Sequence, residues 1–453
     1  MVTTPKILAD FHRNEIIAET VVRKLEKIRN TNKNPTSNKI MNKTLLSLLG
    51  ILLIISCKQK QNSVKEIADN QPIKDSLTLE IKTLNKNYFN GLGVAIVDST
   101  GVLYENGIGF ADAKSSKPYT VNTIQPIASV SKIFIGIALL KAQEMGLLNL
   151  DDPINKHLPF KVLNPNFKNE PITIRQLSNH TSTIIDTENY MGRAYVLKDK
   201  LDSTSIKIKN IPQSFNPNDN KIPLSEFLEN YLSENGKWYE KDAFTKNKPG
   251  ELFEYTNVGA SLAAFIIEIV SHQSYAEFTN EYILKPLKMD NSGWSYDAVN
   301  FDKVSMLYSN PKMEVPYYSL ITYPDGGFLT SVNDLAKYLN EIMKGYLGNG
   351  TLLSKEGYEE LFTKQLNAEN FTERDVNHPY KDEYNIGIFI GFSGTGNIGH
   401  TGGDPGASSL MFFNPKDKTG GILLVNTNIE NQEGINAYYG FFNKLEEFGT
   451  KLR

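Results

Sequence analysis

The stretch IASVSKIFIGIALLKAQEM, residues 127–145, constrains the fold of this chain more than any other. From Ser129 to Met145 the pattern predicts a helix, and apolar residues occupy several of its faces rather than one stripe. Such a helix must be covered by protein on most sides, so we expect it at the centre of a large core. Gly146 follows directly and is predicted to end the helix. A chain of 453 residues is long enough to build that core.

The order of the remaining segments predicts an α+β fold. A helical pattern over 77–89 is followed by two β-type runs over 91–110, which read as a hairpin. Helical segments then continue to about residue 290, interrupted by a polar stretch at 197–223 that reads as a surface loop. Four short β-type runs lie within 384–428, and a helix over 435–448 closes the chain. We expect an antiparallel sheet made from both chain ends, flanked by terminal helices, with an all-helical region inserted.

An apolar segment near the N-terminus indicates export. Residues 41–57 read MNKTLLSLLGILLIISC, in which Lys43 supplies a positive start and 45–55 are mostly apolar. The apolar part is too short to cross about 30 Å of hydrocarbon, but it fits a signal peptide. It ends in IISC, which resembles a bacterial lipobox, and Cys57 is the single cysteine in the chain. We therefore expect lipidation of Cys57; the alternative is a buried thiol in an apolar helix.

This interpretation divides the chain into four parts. Residues 1–40 are predicted to lie outside the fold, as an over-extended start, because a signal peptide begins at or near the initiator. Residues 41–57 are the lipoprotein signal, 58–75 a polar tether, and 76–453 one domain without a second linker or repeat. The expected location is the periplasmic or outer face of a bacterial membrane.

Composition and missing motifs exclude several classes of function. The formal net charge is −3 and no basic stripe is present, so the sequence is a poor candidate for nucleic-acid binding. Neither H-E-x-x-H nor another metal-ligand spacing occurs, and no G-x-S-x-G supports an α/β-hydrolase. The sequence therefore implies no metal and no cofactor.

The start of the central helix carries a serine and a lysine in Ser-x-x-Lys spacing. Ser129 and Lys132 lie one turn apart, so their side chains share a helix face. A buried lysine can lose its charge and take a proton from a serine hydroxyl. In the alternative interpretation, Ser129 caps the helix and Lys132 extends to the surface. The spacing alone does not decide, because Ser309 and Lys312 repeat it.

Two later segments supply further candidate site residues. Tyr255 and Asn257 follow Pro-Gly directly before another apolar helix, a loop-to-helix boundary. The sequence GHTGG at 399–403 predicts a glycine-rich strand, along which backbone can approach a ligand closely.

Together these segments resemble the class C serine β-lactamases and the D-Ala-D-Ala carboxypeptidases, esterases and D-amino acid peptidases that share their fold. The resemblance runs from about residue 85 to residue 430, in family order. It rests on GVAIVDSTG, IASVSKIFIGIALLKAQEMGLLNLDDPINKHLP, ITIRQLSNHTS, PGELFEYTNVGASL, ILKPLKMDNSGW and GGFLTSVNDLAKYL. It implies a β-lactamase/transpeptidase-like fold and a serine hydrolase that acts on an amide or ester through an acyl-enzyme.

The resemblance also implies roles for individual residues. Ser129 would be the acylated nucleophile, Lys132 would take its proton, and Tyr255 would share the base and acid work. Asn257 would orient the substrate carbonyl and the lysine. Substrate binding is further implied for His400, Thr401 and Gly402, and the backbone N–H groups of Ser129 and Gly403 would form the oxyanion hole.

Two positions depart from the family pattern. His400 stands where the β-lactamases carry lysine, so its site would hold a substrate carboxylate less firmly. Thr183 stands where the family usually has glycine. Expected substrates are D-Ala-D-Ala peptides, β-lactams, small esters or D-amino acid peptides. The alternative function is a catalytically silent relative that binds cell-wall peptide or a protein partner.

Overall fold

The computed structural model describes residues 70–198, 206–208, 213–371 and 383–453. The predicted over-extended start, the signal peptide and Cys57 all lie outside the described residues. So does most of the predicted tether, 58–75; its last residues, from Gln71 onward, belong to the first helix.

Helices and short strands alternate along the described residues. The helices are α1 Gln71–Asn85, α2 Lys132–Glu144, α3 Ile174–Ser178, α4 Glu188–Arg193, α5 Leu224–Leu232, α6 Asn257–Ser271, α7 Tyr275–Thr279, α8 Lys285–Leu287, α9 Val332–Tyr346, α10 Lys355–Leu361 and α11 Gln432–Leu452. The strands are β1 Gly91–Asp98, β2 Gly101–Asp112, β3 Lys117–Pro118, β4 Ile124–Pro126, β5 Tyr195–Leu197, β6 Ile206–Lys207, β7 Ser214–Phe215, β8 Leu307–Asn310, β9 Met313–Val315, β10 Tyr318–Leu320, β11 Leu329–Ser331, β12 Asn385–Ile386, β13 Gly391–Phe392, β14 Ile398–Asp404, β15 Ala407–Asn414 and β16 Thr419–Val425.

The main sheet joins the two ends of the domain, as the sequence predicts. Its strand order is β12-β13-β14-β15-β16-β1-β2-β3, and every neighbouring pair is antiparallel. The predicted hairpin over 91–110 is formed by β1 and β2, with Asp98 opposite Gly101 at the turn. In the centre of the sheet β1 pairs with β16, so Leu92 lies opposite Val425 across more than three hundred residues of chain. The predicted α+β class is confirmed.

Both faces of the sheet are covered, and strand β1 shows how. Leu92, Val94 and Ile96 pack in a cluster with the terminal helices α1 and α11. Ala95 and Val97, which alternate with these residues along the strand, belong to the core that surrounds α2. Because successive side chains of a strand point to opposite faces, one short apolar run contributes to two cores.

Helix α2 lies in the larger core, as its composition predicts. Ile133 to Leu140 are all buried, with no exposed stripe. The helix ends at Glu144, and Gly146 takes a φ of +72°, which glycine adopts without strain. The predicted centre and end of this helix are therefore confirmed.

The inserted region is not all-helical, which corrects the sequence prediction. It contains the two-stranded ribbons β4–β11, β5–β10, β6–β7 and β8–β9. The polar stretch at 197–223, predicted as a loop, includes strands β6 and β7 and the end of β5. These strands are two to four residues long, which is too short for an alternating pattern to be read from the sequence.

Candidate active site

Ser129 lies on a 3₁₀ turn, Ala128–Ser131, that leads directly into helix α2. The preceding Ala128 has a φ of +47°, a left-handed conformation that residues other than glycine adopt at a cost of roughly 1–2 kcal/mol. Non-glycine residues in this region cluster at functional sites, where the surrounding structure holds them in place. Ser129 is partly exposed, whereas Val130 and Ser131 beside it are buried.

Lys132 is fully buried and its amine contacts Ser129. Its Nζ lies 3.1 Å from Ser129 Oγ, 2.7 Å from Asn257 Oδ1 and 2.6 Å from the main-chain oxygen of Asp325. Two of these partners are carbonyl oxygens, which only accept, while the serine hydroxyl can donate or accept. A neutral amine has two N–H groups for the carbonyls and one lone pair left for the Ser129 proton. The geometry therefore suits a lysine that acts as a base.

Opposing effects act on the charge of this lysine. Burial lowers the pKa of Lys132, and the negative charges of Asp325, Asp186 and Asp404 raise it. Burial favours the neutral amine and the carboxylates favour the ammonium. The protonation state of Lys132 therefore depends on three acidic residues that the sequence analysis did not single out.

Tyr255 reaches the same cluster from the start of helix α6. Lys132 Nζ lies 5.1 Å from the centre of its ring, and the His180 ring lies 4.6 Å away on another side. Burial raises the pKa of the Tyr255 phenol, and hydrogen bonding with the Ser129 side chain opposes that shift. The structure thus brings the phenol, the amine and the serine hydroxyl together.

Asn257 is the first residue of helix α6, and a carboxylate fixes this helix end. Asp186 accepts hydrogen bonds from the backbone N–H of Asn257 at 2.8 Å and of Val258 at 2.9 Å. It also accepts one from the Thr256 hydroxyl at 3.0 Å. A negative charge at a helix N-terminus satisfies otherwise unpaired N–H groups. Asp186 therefore fixes the backbone at the start of α6, from which the Asn257 side chain contacts Lys132.

Strand β14 passes directly beside Ser129. A Cβ built on Gly402 would lie 2.3 Å from the Ile127 carbonyl oxygen and 3.1 Å from the Ser129 nitrogen. Only glycine permits this approach. At Gly403 a side chain would meet nothing within 4 Å, so this residue faces open space. Gly402 therefore makes a close backbone contact that a side chain would prevent, whereas Gly403 leaves open space beside the strand.

A cavity of about 350 Å³ joins these elements. It is lined by Ser129, Tyr255, Tyr384, Gly391, Ser393, Gly399, His400, Thr401, Gly402, Gly403 and Phe412. Both residues predicted to supply the oxyanion hole are in this lining. Lys132 and Asn257 lie behind it rather than on its wall.

The surroundings of His400, which lines the cavity and is partly exposed, favour its neutral form. Burial and the nearby positive charge of Lys132 lower its pKa to about 4, although its Nδ1 contacts the Thr401 carbonyl. A neutral imidazole offers a hydrogen bond to a substrate carboxylate but no charge. That His400 would hold a substrate carboxylate less firmly than a lysine stays a prediction.

Thr183 has a left-handed backbone conformation, which is usually adopted by glycine. Its φ is +70°, and its hydroxyl accepts a hydrogen bond of 3.0 Å from Asn164. The side-chain bond offsets part of the strain, since the left-handed region is unfavourable for threonine. His180, in the same loop, is buried and accepts the Thr256 N–H through Nδ1, so it supports the loop and Tyr255.

The second Ser-x-x-Lys copy forms no such site. Ser309 lies in strand β8 and its hydroxyl donates to the Met313 carbonyl at 3.3 Å. Lys312 is exposed in the following turn. Equal spacing thus gives unrelated structures on a strand and on a helix.

The fold and the site define the class of this protein. The architecture is the β-lactamase/transpeptidase-like fold, with the serine, lysine and tyrosine meeting between the sheet and the inserted region. The chain belongs to the Beta-lactamase family, whose sequence model matches residues 78–440.

Individual relatives agree with this assignment. The chain is 26% identical over 358 residues to Protein flp of Staphylococcus aureus strain MW2, covering 77% of this chain and 61% of that protein. It is 26% identical over 347 residues to Penicillin-binding protein 4* of Bacillus subtilis strain 168, covering 72% of this chain and 65% of that protein. The chain thus spans less than two thirds of these relatives. D-alanine carboxypeptidase AmpC from Burkholderia cenocepacia is similar in fold, with a TM-score of 0.59, 19% identity and coverage of 83% and 99% of the two chains.

Among the described residues, no helix is long and apolar enough to cross a membrane. The same part of the chain contains no cluster of histidine, cysteine, aspartate and glutamate arranged to hold a metal ion.

Proposed function

We propose that this protein is a serine hydrolase that forms an acyl-enzyme at Ser129. The observation that carries the proposal is the contact of the buried Lys132 amine with Ser129 Oγ, Asn257 Oδ1 and the Asp325 carbonyl. An amine held by two fixed acceptors and one hydroxyl has its third position directed at the nucleophile. The proposed substrates are amides or esters of the D-Ala-D-Ala peptide, β-lactam or small-ester type.

The proposed reaction has two stages. Ser129 Oγ bonds to the substrate carbonyl carbon while its proton passes to Lys132 Nζ, and the negative oxygen is bound by the N–H groups of Ser129 and Gly403. The C–N or C–O bond then breaks, and the leaving group takes a proton delivered through Tyr255. Water next attacks the acyl-enzyme, which releases the acid and restores the Ser129 hydroxyl.

Covalent labelling tests the proposal. A fluorophosphonate or penicillin probe is expected to label the wild-type chain, and Ser129→Ala is expected to remove the labelling because the acylated oxygen is absent. Ser309→Ala is the matched control, since Ser309 belongs to the other Ser-x-x-Lys copy, and it should label like wild type. Absence of labelling in the wild type by either probe would contradict the enzyme and favour a silent binding relative.

We further propose that the protein is exported and attached to the membrane through lipidated Cys57. Support comes from the sequence of residues 41–57 alone. Cys57→Ser is expected to release a soluble protein that still labels at Ser129, because the anchor is removed and the domain is unchanged. Fractionation of cells measures this; a Cys57→Ser protein that stays in the membrane fraction would argue against the lipid anchor.

A further inference from the structure

Asp325 lies behind the site, and its main chain contacts Lys132. Asp325 ends the 3₁₀ turn Tyr323–Asp325 and is 2% exposed. Its main-chain oxygen accepts a hydrogen bond of 2.6 Å from Lys132 Nζ. The same residue therefore offers the lysine a carbonyl contact and a negative charge.

Two hydroxyls hold this carboxylate in place. Asp325 Oδ2 accepts from the Tyr190 hydroxyl at 2.8 Å and from the Ser261 hydroxyl at 2.9 Å. Tyr190 belongs to α4 and Ser261 to α6, so the turn is tied to both helices. Buried carboxyl groups need such donors, because desolvation otherwise disfavours the charged form. The side-chain bonds thus fix the carbonyl that contacts Lys132.

The Asp325 carboxyl group gains or loses its proton close to neutral pH. Burial raises its pKa to about 6, while Lys132 and the Tyr190 hydroxyl act in the opposite direction. Other titratable groups face Lys132 or Asp325 from neighbouring elements: Asp186, Asp404, His180, His400, Tyr195 and Tyr255. Asp404, bound by Tyr195 at 2.6 Å, has a pKa raised by burial to about 7.

We propose that Asp325 is a positioning residue for the base: its anchored side chain aims the main-chain carbonyl at Lys132, and its negative charge sets the pH at which Lys132 becomes a free amine. This inference rests on the proposed function, in which Lys132 takes the Ser129 proton. The pH at which Lys132 loses its proton then depends on a carboxylate that has no contact with substrate.

The rate of Ser129 acylation as a function of pH tests the proposal. A nearby negative charge favours the ammonium, so Asp325 raises the pKa of Lys132. Asp325→Asn removes the charge and is expected to lower that pKa. The acid limb of the acylation profile, where Lys132 must lose its proton, then moves to lower pH by about one unit.

Glu341→Gln is the matched control. Glu341 is a buried carboxylate that accepts a tyrosine hydroxyl, from Tyr358 at 2.7 Å, but it is not among the charges acting on Lys132. Its profile should match that of wild type. Circular dichroism shows whether each variant folds. If Asp325→Asn does not fold, Tyr190→Phe replaces it. This variant removes a donor that favours the Asp325 carboxylate, so the pKa of Asp325 rises, part of the negative charge is lost, and the limb should move in the same direction by less.

The outcomes separate the inference from the proposed function. A wild-type chain that is never labelled overturns both. A labelled wild type whose acid limb coincides with that of folded Asp325→Asn overturns the inference alone. A uniform loss of rate at every pH with an unmoved limb also overturns it, because that result marks a structural role only.

Discussion

Replacing Lys132 by methionine is expected to slow Ser129 acylation by a factor on the order of 10²–10⁴, the usual contribution of a positioned proton acceptor. The amine that lies 3.1 Å from Ser129 Oγ is lost, while methionine fills the apolar part of the buried volume. The measurement is the rate of probe labelling at fixed pH.

The fold is expected to survive this substitution. Lys132→Met leaves Asp325 and Asp404 without their neighbouring cation, but their pKa values of about 6 and about 7 let both accept protons. Thermal unfolding checks this. Lys141→Met is the matched control, because Lys141 lies on the same helix and donates to the Leu352 carbonyl. A Lys132→Met protein that is acylated at the wild-type rate would refute the role of Lys132 as the base.

Tyr255→Phe is expected to slow turnover by a factor on the order of 10²–10⁴, again the range for a general acid–base group. Phenylalanine keeps the ring contacts with Lys132 and His180 and removes only the hydroxyl near Ser129. Steady-state hydrolysis of a substrate identified by its acylation of Ser129 provides the measurement.

The control for Tyr255→Phe is another buried tyrosine. Tyr338 is fully buried, stacks on Phe134 at 3.9 Å, and its hydroxyl has no hydrogen-bond partner among the described residues. Tyr338→Phe should therefore leave turnover near wild type. Near wild-type turnover in Tyr255→Phe itself would show that the phenol carries no proton in the reaction.

Local patterns were enough to predict much of the fold. Helix α2, its end just before Gly146 and the β1–β2 hairpin are all visible in the sequence, because side-chain periodicity and turn residues act over a few positions. The short ribbons of the inserted region were missed, because strands such as β7 with only two residues carry no periodic signal.

The site was predicted from motifs rather than from spacing. Ser129–Lys132 and Ser309–Lys312 are equivalent as patterns, yet one begins a buried helix and the other ends a strand beside an exposed turn. In the sequence, the Ser129–Lys132 copy was distinguished by the later motifs: Tyr255, Asn257 and the glycine-rich strand follow it in the order typical of the family.

By itself, then, the sequence determined the local elements and the candidate reacting groups: a hydroxyl and an amine at the start of a buried helix, and a phenol before another. Only the tertiary structure decided which carboxylates surround that amine. Asp325 contacts Lys132 across 193 positions of chain, and Asp186 contacts Asn257 across 71. No local pattern encodes such distances, because proximity arises from the packing of helices against the sheet, and the charge of a buried group depends on all its neighbours.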